Sequence, residues 1–457
     1  MRSLRVAFGA GIGGAILALV ACNGLTGASA LEPTLEEDGA ASSSSGSSSG
    51  SPGDGSGPGT DAASDSPVFD SSVPLLPVDI VDVGTAEQAT GLSGGQHLVW
   101  TPIAQRWVLF YVTSAAPTIL RSKISADFVT WIDGAPLTMP HANVDGRNFA
   151  VTRATLGGKD VFHLALSFRI ASDNRRTYVA RAVMSGETLA WNTPLVVTST
   201  PVNTGDLDPD GPAIGVSADG FVTLFTGYDT NDPDGGGGTG NEYVFRSNAP
   251  DDGIAAFTPS WSFFNMEIVP ITCNARAVVP IGQNDLLAVY ENGDNQPNPK
   301  NLRWARSTGA TWSAELSVFP SGNTMDPADW GVLRSADNDV HVVRRKLAGA
   351  LEHERYNGSS MQNGGAIADD VLENGAGIAL VPLDSPSVAL VGIASSEAVR
   401  IASWNGSAWS AWTNLLPPAA GGTRRWLTGG GAAVGPSALV WTENRGATHV
   451  VTGVKIR

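Results

Sequence analysis

The sequence predicts an all-β fold, a β-propeller of four-stranded blades, and the pattern of its apolar runs is the first reason. Short runs such as RWVLFYV (106–112), FVTLFTG (221–227) and SVALVGI (387–393) recur through residues 76–457, with Gly, Asn, Asp or Ser turns between them. The stretches between these runs lack the apolar period of an amphipathic helix, which argues against a parallel α/β protein. So many short strands exceed what a single β-sandwich holds, and a ring of blades accommodates them.

A repeated turn is the second reason, and it sets the number of blades. RSTGATW (306–312), RYNGSSM (355–361) and SWNGSAW (403–409) share the pattern x-x-[TN]-G-[AS]-x-[WM], with glycines 49 and 48 residues apart. Weaker copies are SADFVTW (125–131) and SGETLAW (185–191). A period of about 50 residues that holds four strands is typical of a propeller blade. Asn-Gly between strands predicts a type I′ turn, with positive φ at both central residues. We expect seven blades, with six as the alternative.

The chain ends are predicted to close the ring. SALVWTEN (437–444) and THVVTGVKI (448–456) supply late strands of the last blade, but no further strand follows them in the sequence. PVDIVDV (77–83) has the composition of the missing strand. We expect it to pair with THVVTGVKI as the outer strand of the last blade, which hides an exposed edge.

The first residues resemble the signal peptide of a bacterial lipoprotein. An uncharged run, 6–21, follows two arginines and is shorter than the ~20 residues that a transmembrane helix needs. It ends in LVAC (19–22), which resembles a lipobox. The resemblance implies that residues 1–21 are removed and that Cys22 is lipidated. Asn23 after the cysteine fits export to the outer membrane of a Gram-negative bacterium.

A linker is predicted to follow the anchor. Residues 39–67 consist almost entirely of Ser, Gly, Pro, Ala and Asp, a composition that has nothing to bury and stays disordered. The predicted organisation is therefore a signal peptide over 1–21, a lipidated linker over 22–75 and a propeller domain over 76–457. The formal net charge of −16 argues against nucleic acid as a partner.

One blade resembles a known family. LLAVYENG (286–293), followed by NLRWARSTGATWSAEL (301–316), is similar to the strand–strand–turn unit of sialidase-like propellers with Asp-box (BNR) repeats, S-x-D-x-G-x-T-W. The Gly, Thr and Trp of the box are kept. Ser307 stands where the family has Asp, and Ala305 stands where it has the first Ser. The box is structural in that family, so the resemblance implies a fold and leaves catalysis open.

The catalytic residues of sialidases are matched poorly. That family uses three Arg, a Tyr–Glu nucleophile pair and an Asp. Tyr290 and Glu291 are adjacent on a predicted strand and should face opposite sides of it, while Arg276 is a single candidate for a central pocket. An arabinanase-type glycosidase would need two inward carboxylates roughly 5–10 Å apart, for which the candidates are Asp208 or Asp210 together with Glu291. The weak catalytic candidates are thus Asp208, Arg276 and Glu291.

An acidic loop offers a candidate metal site. Asp206, Asp208 and Asp210, followed by Gly, match the start of a calcium loop, with oxygen ligands at alternate positions. Ser217 occupies the position of the EF-hand glutamate, so the loop is no EF-hand. Calcium is the one candidate cofactor, and the alternative is that Asp, Pro and Gly simply form turns.

Three tryptophans, Trp404, Trp409 and Trp412, flank one predicted hairpin. They are candidates for stacking on the apolar faces of sugars, and packing between blades is the alternative. We therefore expect a monomeric, surface-tethered lipoprotein whose propeller binds a carbohydrate or an extracellular protein without catalysis. A glycoside hydrolase, sialidase-like or arabinanase-like, is the alternative.

Overall fold

The computed structural model describes the chain from residue 75 onward in segments. These are 75–81, 89–91, 95–113, 119–139, 149–171, 174–197, 212–229, 240–266, 276–292, 301–320, 329–346, 349–368, 372–384, 386–432 and 435–457. All regular elements in these segments are strands, apart from isolated turns, so the predicted all-β class is confirmed. Within the same segments, no helix is long and apolar enough to cross a membrane.

The strands form seven antiparallel sheets, the blades, and the predicted number is confirmed. Strand β1 is Val78–Val81. Blade 1 comprises β2 (Leu98–Thr101), β3 (Arg106–Val112), β4 (Ile119–Ser125), β5 (Ile132–Asp133) and β6 (Leu137–Thr138). Blade 2 comprises β7 (Phe149–Leu156), β8 (Lys159–Ala171), β9 (Asn174–Ser185), β10 (Thr188–Trp191) and β11 (Leu195–Val196). Blade 3 comprises β12 (Ala213–Val216), β13 (Val222–Asp229), β14 (Gly240–Ser247) and β15 (Trp261–Met266).

The second half of the ring repeats this order. Blade 4 comprises β16 (Arg276–Pro280), β17 (Leu286–Asn292), β18 (Asn301–Thr308), β19 (Thr311–Trp312) and β20 (Leu316–Ser317). Blade 5 comprises β21 (Trp330–Arg334), β22 (Val340–Arg345), β23 (Leu351–Tyr356) and β24 (Met361–Ala366). Blade 6 comprises β25 (Ile378–Pro382), β26 (Val388–Ile393), β27 (Val399–Trp404) and β28 (Thr413–Leu416). Blade 7 comprises β29 (Thr423–Gly431), β30 (Ser437–Asn444) and β31 (His449–Lys455), together with β1.

The first and last strands close the ring as predicted. Strand β1 pairs antiparallel with β31, with Asp79 opposite Thr452. Arg445, at the turn before β31, donates to both carboxylate oxygens of Asp79 at 2.7 Å. The Thr452 hydroxyl donates to the same carboxylate at 3.0 Å. A bidentate arginine pair is among the stronger side-chain contacts, and here it joins chain ends that are far apart in sequence.

The first strand of each blade lies innermost, against the axis of the ring. The innermost strand of blade 7 runs between those of blades 6 and 1, and its glycines make this possible. A Cβ on Gly429 would lie 2.6 Å from Val381 Cγ1, and one on Gly430 would lie 2.4 Å from the carbonyl oxygen of Leu98. Larger residues would push the blades apart, so the glycine run allows the ring to close tightly around the axis.

The core lies between neighbouring blades, where tryptophans in or just before the fourth strands recur. Three of them meet an aromatic ring of the preceding blade edge-on: Trp191 meets Phe110, Trp312 meets Phe225 and Trp409 meets His353. The expectation that Trp312 of RSTGATW packs between blades is confirmed. Aromatic pairs in this geometry add to the free energy of burial.

The turns of RYNGSSM and SWNGSAW depart from the prediction in one respect. Gly358 and Gly406 have φ of 94° and 101°, as expected. The asparagine before each does not have positive φ, so the type I′ assignment was wrong. Instead, Asn405 Oδ1 accepts the N–H groups of Ser407 and Ala408, both at 3.0 Å. The asparagine caps the turn with its side chain, which leaves glycine alone in the left-handed region.

A carboxylate caps the equivalent turn of blade 1. Asp127 Oδ1 accepts the N–H groups of Thr130 at 2.7 Å and Val129 at 2.8 Å. These bonds, with that of the Thr130 amide first, lower the pKa of Asp127 to about 2. In blade 4, by contrast, the Ser307 hydroxyl accepts the N–H of Leu286 at 2.9 Å and joins two strands. The assignment of either turn as an Asp-box stays a prediction.

Candidate functional site

Four residues singled out in the sequence lie outside the described segments. These are the predicted lipidation site, Cys22, and the predicted calcium ligands, Asp206, Asp208 and Asp210. Lipidation, calcium binding and a catalytic role for Asp208 therefore stay predictions. In the described segments, no group of three or more His, Cys, Asp or Glu side chains is placed to hold a metal ion.

The remaining catalytic candidates lie in blade 4. Arg276 begins β16 and pairs in register with Tyr290 of β17, and its side chain lies outside what the structure describes. Tyr290 donates its hydroxyl to Glu315 at 3.0 Å. Glu291 is fully buried and accepts the indole N–H of Trp330, in blade 5, at 3.0 Å. Tyr290 and Glu291 thus contact different parts of the molecule and do not form the pair that a sialidase would need.

The three candidate ligand-binding tryptophans lie in blade 6 and contact blade 5. Trp404 is buried. Trp409 places its indole Nε1 3.1 Å from His353 Nδ1, and Trp412 donates its indole N–H to the carbonyl of Ala368 at 2.8 Å. These contacts correspond to packing between blades, the alternative that the sequence left open. A ligand-binding role for the three stays a prediction.

Behind these tryptophans the interface of blades 5 and 6 is closed by a chain of neutral groups. His341 Nδ1 lies 3.0 Å from His353 Nε2, and the Ser335 hydroxyl lies 3.0 Å from His341 Nε2. His353 Nδ1 lies 2.7 Å from the carbonyl of Gly364 and must donate to it. The Ser335 hydroxyl also faces the Asp337 carboxylate and the carbonyl of Asp339, so its single proton serves only one of these acceptors. Burial lowers the pKa of His353 to about 4 and that of His341 well below 6.5.

An open groove lies between blades 2 and 3, with a volume of about 360 Å³. It forms where the outer strand of blade 2 is interrupted: β10 ends at Trp191 and β11 resumes at Leu195. At the break, the N–H of Asn192 donates to the carbonyl of Arg181 at 2.9 Å, and Asn192 Oδ1 accepts the N–H of Arg181. Phe257 of blade 3 forms the facing wall. We call this cavity the blade 2–3 groove.

Arg181 is held rigidly at the groove. Its Nη1 donates to Asp251 at 2.6 Å, its Nη2 donates to the carbonyl of Ala255 at 2.9 Å, and its guanidinium carbon lies 5.6 Å from the centre of the Phe257 ring. The second oxygen of Asp251 lies 2.8 Å from Nε2 of the buried His163. The side chain therefore cannot reorient without breaking a buried ion pair, and this fixes the direction of its N–H groups.

The charges at this interface balance. Burial lowers the pKa of His163 more than the Asp251 carboxylate raises it, so the imidazole is neutral near pH 7. Burial works to raise the pKa of Asp251, but the hydrogen bonds from His163 and the Gly253 amide, with the charge of Arg181, lower it overall. One cation and one anion remain, and the blade 2–3 groove is close to electrically neutral.

The groove combines apolar walls with a few fixed polar groups. Trp191 is fixed by its own contacts, because its indole N–H donates to the carbonyl of Ala135 at 2.8 Å and its ring meets Phe110. Trp191 and Phe257 supply aromatic surface, and the guanidinium of Arg181, held by Asp251 and the carbonyl of Ala255, lies at the wall. Mostly apolar clefts of a few hundred Å³ with few polar groups are typical of ligand sites. Such a lining suits a molecule with both apolar faces and hydroxyl groups.

A second, smaller cavity of about 150 Å³ lies on the axis. The innermost strands of five blades line it, with Gln96 before β2, Arg153 on β7, Gly331 on β21, Leu380 on β25 and Gly430 on β29. We call it the axial cavity. It is too small for an oligosaccharide. Neither this cavity nor the blade 2–3 groove was predicted from the sequence. The motif SGETLAW predicted the turn before Trp191, but it did not predict a groove beside that residue.

Comparison with known proteins shows the fold and no family. Neither a family model nor a curated protein matches the sequence. Among solved structures, the chain is similar to an ulvan lyase, a polysaccharide lyase bound to -[GlcA(1-4)Rha3S]-, at 10% identity and a TM-score of 0.50, over 82% of this chain and 95% of that one. It is also similar to the Trypanosoma rangeli sialidase in complex with the inhibitor DANA, at 11% identity and a TM-score of 0.41, over 72% of this chain and 56% of that one. A third is the six-bladed fungal lectin of Aleuria aurantia, at 13% identity and a TM-score of 0.39, over 67% and 94%.

Proposed function

We propose that this protein is a lipid-tethered β-propeller that binds carbohydrate in the blade 2–3 groove. The observation that carries the proposal is the combination of Trp191, Phe257 and the fixed guanidinium of Arg181 around one open cavity. The apolar face of a sugar ring packs on aromatic side chains, and sugar hydroxyls accept hydrogen bonds from fixed N–H groups. The ulvan lyase with the similar fold was solved with a bound saccharide, which is compatible with this proposal.

We propose binding without catalysis. Glu291, the catalytic candidate whose side chain is described, is fully buried and accepts a hydrogen bond from Trp330. A carboxylate buried between blades 4 and 5 does not reach a substrate in the blade 2–3 groove. Hydrolysis of a glycoside is the alternative, and aryl glycosides offered to the full-length protein would reveal it by release of the aryl group.

The site is tested with the full-length protein on a glycan array, followed by titration of the best ligand. Trp191→Ala removes one aromatic wall and should weaken binding at least about tenfold, since buried aromatic anchors dominate such interfaces. Trp312→Ala is the matched control, because it removes the equivalent tryptophan of blade 4, away from the groove. It should change affinity less than about twofold, within the range of near-neutral contacts.

Two outcomes would overturn the proposal. A folded Trp191→Ala protein that binds its glycan like the parent would place the site elsewhere. An array without any bound glycan, together with capture of an extracellular protein that competes at Trp191, would replace the carbohydrate with a protein ligand.

The tether is a separate proposal. It rests on the resemblance of LVAC to a lipobox and on the composition of residues 39–67. Cys22→Ser should move the protein from the membrane fraction to the soluble fraction of exporting cells, and it should leave glycan binding unchanged. A variant that stays with the membrane would remove the lipid anchor from the proposal.

A further inference from the structure

We infer that the axial cavity is a binding site for a small oxyanion or carboxylate, held by Arg153 and Gln96. The site lies on the axis, away from the blade 2–3 groove, and the inference does not rest on the proposed function. It follows from the charge of the cavity, from the free edge of one guanidinium and from the backbone at one glutamine.

The axial cavity is lined by a positive charge, whereas the protein as a whole is negatively charged. The chain carries a formal net charge of −16. Among the described residues that line the axial cavity, Arg153 alone is charged. A single cation between low-dielectric walls concentrates its field in the cavity, and an anion there would gain from it although the outer surface is acidic.

The contacts of Arg153 leave one edge of its guanidinium free. Both of its contacts run through Nη1, at 2.9 Å to the Thr155 hydroxyl and 3.5 Å to Asp160. The other oxygen of Asp160 accepts the N–H groups of Ile103 and Ala104 at 3.0 and 2.8 Å. The side chain is thereby anchored at one end. Its Nε and Nη2 have no hydrogen-bond partner among the described residues, and that edge binds carboxylates and oxyanions through two parallel bonds.

The contrast with Arg181 supports this assignment. Arg181 donates from Nη1 to Asp251 at 2.6 Å and from Nη2 to the carbonyl of Ala255, so a carboxylate already neutralises it at short range. Asp160 approaches Arg153 no closer than 3.5 Å, and Asp160 does not line the axial cavity. An anion in the cavity would complete the coordination of Arg153, whereas one at Arg181 would compete with Asp251.

Gln96 supplies the second feature. Its φ is 49°, in the left-handed region, where a side chain other than glycine, Asn or Asp is strained. The residue lines the axial cavity, and its side-chain amide has no hydrogen-bond partner among the described residues. Strained backbone clusters at functional sites, and Gln96 lines the same cavity as Arg153.

The cavity also has a suitable size. At about 30 Å³ for each water in the liquid, a volume of about 150 Å³ holds a few water-sized groups. That is enough for sulfate, phosphate or a short carboxylate such as acetate, and too little for a sugar chain.

The test is calorimetric titration of the full-length protein with sulfate, with phosphate and acetate as further probes. The parent should bind at least one of them saturably. Arg153→Gln should weaken that binding on the order of tenfold or more, because it removes the charged partner of the hydrogen bonds. The ranking of the three probes distinguishes an inorganic oxyanion site from a carboxylate site.

A second pair of variants keeps the test decisive if Arg153→Gln fails to fold. Gln96→Gly removes the amide and relieves the positive φ, so it should fold at least as well as the parent and bind several-fold more weakly. Gln105→Gly is the matched control. That residue also has positive φ, 55°, but its amide donates to Pro102 at a turn outside the cavity, and the variant should bind like the parent.

Sulfate also stabilises proteins by exclusion from their surface. The comparison between variants therefore distinguishes binding in the axial cavity from this general effect. Sulfate that raises the melting temperature of the parent, Gln96→Gly and Gln105→Gly equally, with no saturable heat of binding, would overturn the inference. So would equal affinity of the parent and either cavity variant.

Discussion

The interface of blades 2 and 3 and the interface of blades 5 and 6 bury similar side chains, but the first contains an open groove and the second is closed. Each buries a histidine of the second strand, His163 in blade 2 and His341 in blade 5. Each places a second nitrogen-rich side chain on the third strand, Arg181 in the first case and His353 in the second. The next blade then supplies the partner, and that partner decides whether the interface opens or closes.

Charge explains the difference. Arg181 keeps its charge when buried and needs a carboxylate, which Asp251 supplies from a loop of blade 3. His353 loses its charge instead, with Nδ1 against the carbonyl of Gly364 and Nε2 against His341, so aromatic rings of blade 6 can cover it. At the interface of blades 2 and 3, the loop that carries Asp251 leaves the blade 2–3 groove open beside it. At the interface of blades 5 and 6, Trp409 fills the corresponding space.

Loss of the ion pair between blades 2 and 3 should destabilise the protein most. Asp251→Ala leaves Arg181 buried without its anion and His163 without a partner, and removal of one member of a buried pair costs about 3–5 kcal/mol. The free energy of unfolding, measured by denaturant titration, should fall by that amount. Asp252→Ala is the control, since its exposed carboxylate only caps the N–H groups of Ile254 and Ala255. A control that destabilises as much as Asp251→Ala would refute the role of the ion pair.

The neutral interface should instead be sensitive to acid. Burial lowers the pKa of His353 to about 4 from 6.5, so between these values the unfolded chain binds a proton that the folded chain does not. Stability is therefore full above pH 6.5 and decreases as the pH falls towards 4. At 1.36 kcal/mol for each pKa unit, His353 alone accounts for a loss of about 3 kcal/mol. Unfolding measured at pH 7, 5.5 and 4 checks this.

His353→Gln is the control for that prediction, because it keeps a donor for Gly364 and removes the titrating ring. Its loss of stability between pH 6.5 and 4 should be smaller than that of the parent. Part of the loss should persist, since burial also lowers the pKa values of His163 and His341. Identical pH profiles for variant and parent would contradict the assignment to His353.

The sequence was sufficient for the fold because its signals are local. The turns around Gly358 and Gly406 need a left-handed residue wherever they occur, and residues 77–83 have the composition of a strand that requires a partner. The blade 2–3 groove has no such signal. Arg181 and Asp251 are 70 residues apart, and their pairing depends on how two blades pack. The strain at Gln96 is set by the axial packing, which no neighbouring residue specifies.

An intermediate effect is expected for the tryptophan that closes blades 5 and 6. Trp409→Ala removes a partly buried ring that covers His353. It should cost about 2–3 kcal/mol, below the range for a fully buried tryptophan. Glycan affinity should be unchanged, because the proposed site lies between other blades. Lost binding with unchanged unfolding would instead support the predicted ligand role of Trp404, Trp409 and Trp412.

Two polar residues in equivalent positions should separate ligand binding from stability. Asn192 and Ser410 each follow a blade-end tryptophan, and each side chain accepts an N–H of the third strand, from Arg181 and Ser403 respectively. Replacing either with Ala removes one such hydrogen bond and should cost about 0.5–1.5 kcal/mol. Only Asn192 lines the blade 2–3 groove. Asn192→Ala should therefore weaken glycan binding several-fold, and Ser410→Ala should leave it unchanged at the same loss of stability. Equal binding by the two variants, measured by titration of the same glycan, would mean that Asn192 serves the strand alone and that the ligand contacts the groove through its aromatic walls.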